Sequence, residues 1–219
     1  MGSEMCIRDR AGINASEPAC VFASGMGDTD ITDYMCRALA GPEKMVSPTR
    51  FHNSVHNAPA GYWTISTQCE QAATSVAGFT HSFSIALLEA LVQIETNGRA
   101  VLVVVNDIAS PAPMIDINPI EQAFAAALLL QPPVDAPQSL MQLSGAIGSS
   151  SNAVEWPALD PQVLQGLYEN NPAARSLALL QTLASQNTGD SRALHYPLSD
   201  ACVLDLKVTP GLSQPDVNP

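Results

Sequence analysis

The 219 residues are 46% hydrophobic and only 14% charged, with 9 basic against 21 acidic residues and a formal net charge of −12. Such a chain can bury a core and is not disordered by composition. Without a basic cluster it does not suit a nucleic-acid backbone, and no apolar run reaches the ~18 residues of a membrane-spanning helix. Neither nucleic acid nor a membrane is therefore expected as partner, and the location expected is cytoplasmic. The low charge is what a surface partly covered by another protein would show.

The five cysteines, Cys6, Cys20, Cys36, Cys69 and Cys202, are odd in number and widely spaced. With no CxxC pair, neither a zinc site nor a disulfide framework is expected, and the thiols read as reduced.

Residues Met5-Cys6-Ile7-Arg8-Asp9-Arg10 back-translate to ATG TGT ATA AGA GAC AGG, which resembles a transposon adapter end used in library preparation. Residues 1–10 are expected to be adapter-derived and to take no part in the fold, the alternative being an ordinary flexible terminus. The domain then runs over 11–208, with 209–219 as a flexible tail.

Pro18 to Ser24 predicts a short buried strand, and Gly25-Met26-Gly27-Asp28 a turn. Asp30 or Thr32 is placed to cap a helix running to about Ala40, with Ile31, Tyr34, Met35 and Ala38 on one face. Residues 47–53 read as a loop, Ser54 to Trp63 as a short helix despite Pro59, and Gln71 to Phe79 as holding a strand. The clearest helix is Ser82 to Thr96, closed by Asn97-Gly98. Ala100 to Val105 is a continuous apolar, β-branched run, the pattern of a central strand. Strand, helix and strand in that order predict a parallel crossover unit.

Beyond it, 109–119 is a Pro-rich loop and Gln122 to Leu130 another buried strand. Residues 134–160, rich in Ser, Gly and Pro, read as loop. Pro161 to Tyr168 and Pro172 to Ser185 read as helices, and Ala201 to Val208 as a strand with one wet face.

The informative stretch is 47–107. It contains SPTRFHNSVHNAPAGYW, then SVAGFTHSFSIALLEAL, then NGRAVLVVVND. Phe51, Asn57 with Gly61, the strand to Phe79, the helix through Glu89-Ala90 and the Asn97-Gly98-Arg99-Ala100 turn follow one another in the order and at the separations of the N-terminal half of β-ketoacyl synthases. More narrowly, FHNSVHNAPAGYW and HSFSIALLEAL resemble the small ketosynthase-like proteins called chain length factors, found in aryl polyene and related polyketide clusters. The resemblance implies an α/β, thiolase-like fold, N-terminal half only, with α/β/α layers around a mixed, mainly parallel sheet.

A ketosynthase needs a cysteine thiolate at the start of that helix, where the helix dipole favours the anion. Counting back from Glu89-Ala90 puts the nucleophile position at Thr80, flanked by His81 and Ser82. A threonine hydroxyl without an activating base is a poor nucleophile. No catalytic residue is therefore assigned, and Thr80, His81 and Ser82 are expected to cap the helix.

The resemblance implies a non-catalytic subunit paired with a catalytic β-ketoacyl synthase in fatty acid or polyketide biosynthesis, with acyl carrier protein as an indirect partner and no cofactor. The strand before the helix would lie near the seam between subunits. Phe79, Phe83, Phe51, His52, His56, Asn57 and Trp63 are the candidates for an acyl tunnel or interface. The alternatives are an acyltransferase using Ser82 or Thr80, and an orphan remnant of the fold. His52 and His56 stand four apart but lack a third ligand and the HExxH glutamate, so no metal is expected. Asp28, Asp30 and Asp33 lack the glycine and glutamate of a calcium loop and read as capping and solvated residues.

Overall fold

A computed structural model describes residues 13–112, 114–133, 139–149, 155–160, 164–185 and 190–211. The stretch expected to be adapter-derived, and residues 212–219 of the expected tail, lie outside them.

Four strands make the first sheet: β1 (Ala19–Ala23), β2 (Ala73–Val76), β3 (Val101–Asp107) and β4 (Phe124–Leu130), in the order β2-β1-β3-β4. β1 pairs in parallel with both β2 and β3, and β4 runs antiparallel on the far edge. The β-branched run of β3 lies inside the sheet, as its sequence required, with Val101, Leu102, Val103 and Val105 buried. β4 is a half-buried edge strand rather than a fully buried one, with Ala125 and Ala127 exposed. Among the described residues, one of its sides has no strand neighbour.

Alternation along β1 divides the core. Ala19, Val21 and Ala23 face helix α4 (Ser82–Asn97), meeting Phe83, Ala86, Leu87 and Ala90. Cys20 and Phe22 face helix α3 (Ala58–Thr67), meeting Ala60 and Trp63. These are the expected helix, sheet and helix layers. Helix α4 ends as Asn97-Gly98 foretold: Gly98 takes φ +62 and its N–H donates to the Ile94 carbonyl.

Helix α1 (Thr29–Ala40) is capped by Asp28, whose side chain accepts from the Ile31 N–H, so the cap lies before the expected Asp30 or Thr32. The helix expected over Ser54 to Trp63 is α3, which begins only after Asn57, and the stretch 47–53 expected as a loop holds a further short helix, α2 (Pro48–Asn53). Pro48 and Pro59 each sit in a first helical turn, where the missing N–H has no partner to lose, so each starts a helix instead of interrupting one.

The main departure is a second, antiparallel sheet: β5 (Met141–Ser149), β6 (Arg192–Ser199) and β7 (Cys202–Pro210), in the order β5-β7-β6. β5 lies in the segment read as loop, because its glycines and serines mask the alternation of Met141, Leu143 and Ile147. β7 includes Thr209 and Pro210, which pair with Gln142 and Met141, so the strand reaches into the expected tail.

This sheet covers the side of α4 turned away from the first sheet. Tyr196 meets Phe83 edge to face at 5.2 Å, and the Ser84 hydroxyl donates to the Pro197 carbonyl at 2.6 Å. A methyl group at Gly145 would lie 2.9 Å from Leu91 Cδ1. Helix α4 is thus enclosed between two sheets. Helices α5 (Gln165–Asn170) and α6 (Leu177–Ala184), joined by a tight turn at Ala173–Ser176, close the same core through Ala173 and Leu179.

Candidate functional site

The site to examine is the turn from Gly78 to Ser82 that leads into α4. A short helical turn, Phe79–His81, precedes the helix. Phe79 takes φ +48, a left-handed conformation that is strained for a bulky side chain, and the residue is 69% exposed. Thr80 is exposed beside it.

Ser82 is buried and committed locally. Its hydroxyl donates to the Phe79 carbonyl at 2.7 Å and accepts from the Gly78 N–H at 3.0 Å. His81 occupies the helix N-cap but makes no side-chain cap bond. Its Nδ1 lies 3.2 Å from the Pro197 carbonyl on β6, an acceptor, so this nitrogen carries the proton. Its ring stacks on Trp156, 5.5 Å between centroids at 20°. The imidazole is therefore held against the second sheet. Neither Ser82 nor His81 caps α4 through its side chain as expected, although Ser82 braces the turn that precedes it.

The thiols lie elsewhere. Cys69 is buried, with its Sγ donating to the Pro18 carbonyl at 3.4 Å. Cys20 is buried in the layer under α3, and burial, reinforced by the nearby Cys69, pushes its thiol up to about 11. Neither has the character of an activated thiolate.

The remaining sequence candidates separate into two environments. Phe83 is fully buried between the two sheets, and Trp63 is buried against Phe22, so both are core residues. Phe51, His52, His56 and Asn57 are exposed. His52 meets the Tyr62 ring edge-on at 6.4 Å, whereas His56 Nε2 lies 3.0 Å from the carbonyl of Val76, the last residue of β2. The two histidines thus turn to different partners, and among the described residues no cluster of His, Cys, Asp or Glu is arranged to hold a metal. Asn57 stands at the α3 N-cap without a side-chain bond. His56 and Phe79 flank the end of β2, an edge strand with exposed apolar Tyr62 and Ile65 on α3, the helix packed beside it.

Three features escaped the sequence reading. Trp156 is sandwiched between His81 and the guanidinium of Arg175, whose Cζ lies 4.3 Å from the Trp156 ring centroid and 4.8 Å from that of Tyr168. Burial lowers the Arg175 pKa, opposed by Tyr168 and Glu169. Asp107, at the end of β3, is buried and accepts from the Ser24 hydroxyl and the Gly25 N–H. A charged residue closing an apolar strand was the one visible signal for it.

A family model described as beta-ketoacyl synthase, N-terminal domain, matches residues 11–193. The chain belongs to that family. Among solved structures, this ketosynthase-like chain is similar to a ketosynthase in complex with its chain length factor from Xenorhabdus doucetiae. That match has 24% identity and a TM-score of 0.59, over 87% of this chain and 69% of that one. It is also similar to the ishigamide ketosynthase/chain length factor, at 16% identity and a TM-score of 0.64, over 90% and 74%. A third is a type II PKS acyl-carrier protein in complex with its ketosynthase bound to the hexaketide, at 12% identity and a TM-score of 0.66, over 94% and 81%. No curated protein matches. At these identities the structures establish the fold, which is thiolase-like and α/β. Among the described residues of this ketosynthase-like chain, no helix is long and apolar enough to cross a membrane.

Proposed function

We propose that this chain is a non-catalytic, chain-length-factor-like subunit that pairs with a catalytic β-ketoacyl synthase in polyketide biosynthesis of the aryl polyene kind. The observation that carries the reading is the chemistry of the turn before α4. Where a ketosynthase needs a thiolate, this chain offers the exposed Thr80 hydroxyl. His81 is held by Pro197 and Trp156, and among the described residues no hydrogen bond joins its imidazole to the Thr80 hydroxyl; the Ser82 hydroxyl is committed to Gly78 and Phe79.

Pairing is supported by the edge position of β2 and by the exposed Phe79, Tyr62 and Ile65 around it. An edge strand with unpaired backbone groups beside exposed apolar side chains is a surface that association would cover. Phe79 is then the candidate to meet the growing acyl chain or the partner. Phe83 contributes only by fixing α4. No cofactor is needed for this role, and acyl carrier protein would meet the pair rather than this chain alone.

The test is intact-mass analysis after incubation with acyl carrier protein thioesters, with the chain alone and then with a ketosynthase encoded in the same gene cluster. An acyl adduct on the ketosynthase only, with the two proteins co-eluting, is the expected result. An adduct on Thr80 or Ser82 would overturn it in favour of an acyltransferase, and absence of any complex would favour an orphan remnant.

A further inference from the structure

We infer that Asp107 and Ser24, acting through Gly25 and Pro172, form a positioning clamp that holds the strained Phe79 turn and so sets where its ring is presented. What Phe79 meets rests on the pairing reading above; the clamp itself does not.

Three separate segments converge on one carboxylate. Asp107 Oδ1 accepts from the Ser24 hydroxyl at 2.7 Å and from the Gly25 N–H at 2.8 Å, while Oδ2 accepts from the Ala173 N–H at 3.1 Å. Ser24 Oγ in turn accepts from the Gly27 N–H at 2.8 Å. Asn171 braces the third segment, accepting from the Ala173 N–H at 2.9 Å and donating to the Gln122 carbonyl at 2.9 Å. A buried carboxylate suits this junction because its lone pairs can bind several N–H and O–H donors at once.

The tied segments then press on the turn. A methyl group at Gly25 would lie 2.9 Å from Pro172 Cγ and 3.2 Å from the Phe79 carbonyl oxygen. Pro172, the Gly25 backbone and the Phe79 carbonyl are therefore in direct succession, with no room for a side chain between them. From the other side, Ser82 holds the same carbonyl and Ile85 crowds Gly78 too closely for any side chain there. Phe79 keeps a φ of +48 because its neighbours on both sides leave it no alternative. The ring consequently projects outward, while the next aromatic along, Phe83, is buried.

Residue-resolved amide exchange on the full chain tests the clamp. Ser24→Ala is expected to speed exchange of the His81 amide, which donates to the Gly78 carbonyl at 2.8 Å, by about tenfold. The Gly98 amide, at the opposite end of α4, is expected to change by less than about twofold. Gly25→Ala, which wedges Pro172 from the Phe79 carbonyl, should act in the same direction. Glycine adopts a positive φ freely, so in a Phe79→Gly background the Ser24→Ala effect at His81 should shrink below about twofold. An unchanged His81 amide, equal acceleration in both backgrounds, or equal acceleration at His81 and Gly98 would each overturn the clamp. Failure of the pairing reading would show separately, as absence of any complex between the unmodified chain and the ketosynthase, and would leave the exchange pattern intact.

Discussion

Replacing Phe79 with alanine separates a role in pairing from a role in folding. The residue is 69% exposed. A phenylalanine offers ~150–250 Å² for burial, so roughly 100–170 Å² of this one remains available to a partner. At about 25 cal/mol per Å², that sets an upper value of roughly 2.5–4 kcal/mol for its contribution to an interface. Side-chain ordering reduces this to roughly 2 kcal/mol, or about 30-fold in Kd. Alanine retains a Cβ and with it the backbone cost at φ +48, so the substitution removes only the ring. The isolated chain should lose less than about 0.5 kcal/mol in urea denaturation, as is usual for exposed positions. Fluorescence anisotropy of the labelled chain titrated with its ketosynthase reads the affinity. Binding within twofold of the unmodified chain would refute the argument. So would a stability loss above about 1 kcal/mol, which would make Phe79 a packing residue.

Phe83→Ala should behave in the opposite way. Full burial and the edge-to-face contact with Tyr196 at 5.2 Å place the expected loss at ~3–5 kcal/mol in urea denaturation, and a loss under about 1 kcal/mol would contradict the enclosure of α4. Burial holds the Asp107 carboxyl above the usual carboxylate range, against hydrogen bonds from Ser24, Gly25, Met26 and Ala173. The folded chain therefore holds this proton more tightly than the unfolded one. The stabilisation is full below the unfolded pKa of about 3.9 and is lost as pH rises through the higher folded value. The stability difference between the unmodified chain and Asp107→Asn, measured across that window, should fall with rising pH; a difference that rises instead would reverse the assigned direction. Among the cysteines, exposed Cys36 should react readily with a thiol-disulfide reagent, while Cys20, buried and raised to about 11, should react only on unfolding. Prompt modification of Cys20 in the folded chain would argue against the packing of α3 on β1.

Local chemistry was legible wherever a signal was strong and the covering layer could be inferred from the pattern itself. The β-branched run of 101–105 could only be an inner strand, and Asn97-Gly98 could only end the helix before it. The identity of the residue at the nucleophile position, Thr80 instead of cysteine, is likewise a property of the chain order. Periodicity was less reliable where composition obscured it. The Gly- and Ser-rich β5 is a strand only because β7 pairs with it along nine residues, Met141↔Pro210 to Ser149↔Cys202. Pro59 was read as a flaw within a helix begun at Ser54 because spacing does not reveal that this proline opens the helix.

The sequence alone determined the family, the order of the strands through β4 and the absence of a thiol from the turn before α4, since each depends on residue types at short separations. Tertiary structure decided which candidates remain available. Phe79 and Phe83 lie four positions apart, yet one is exposed on a strained turn and the other is buried between two sheets. Their fates differ because β6, more than a hundred residues later, folds back over α4, and because Asp107 ties the ends of β1 and β3 to the segment at Pro172. Contacts at such separations are set by how layers pack, and no local pattern encodes them.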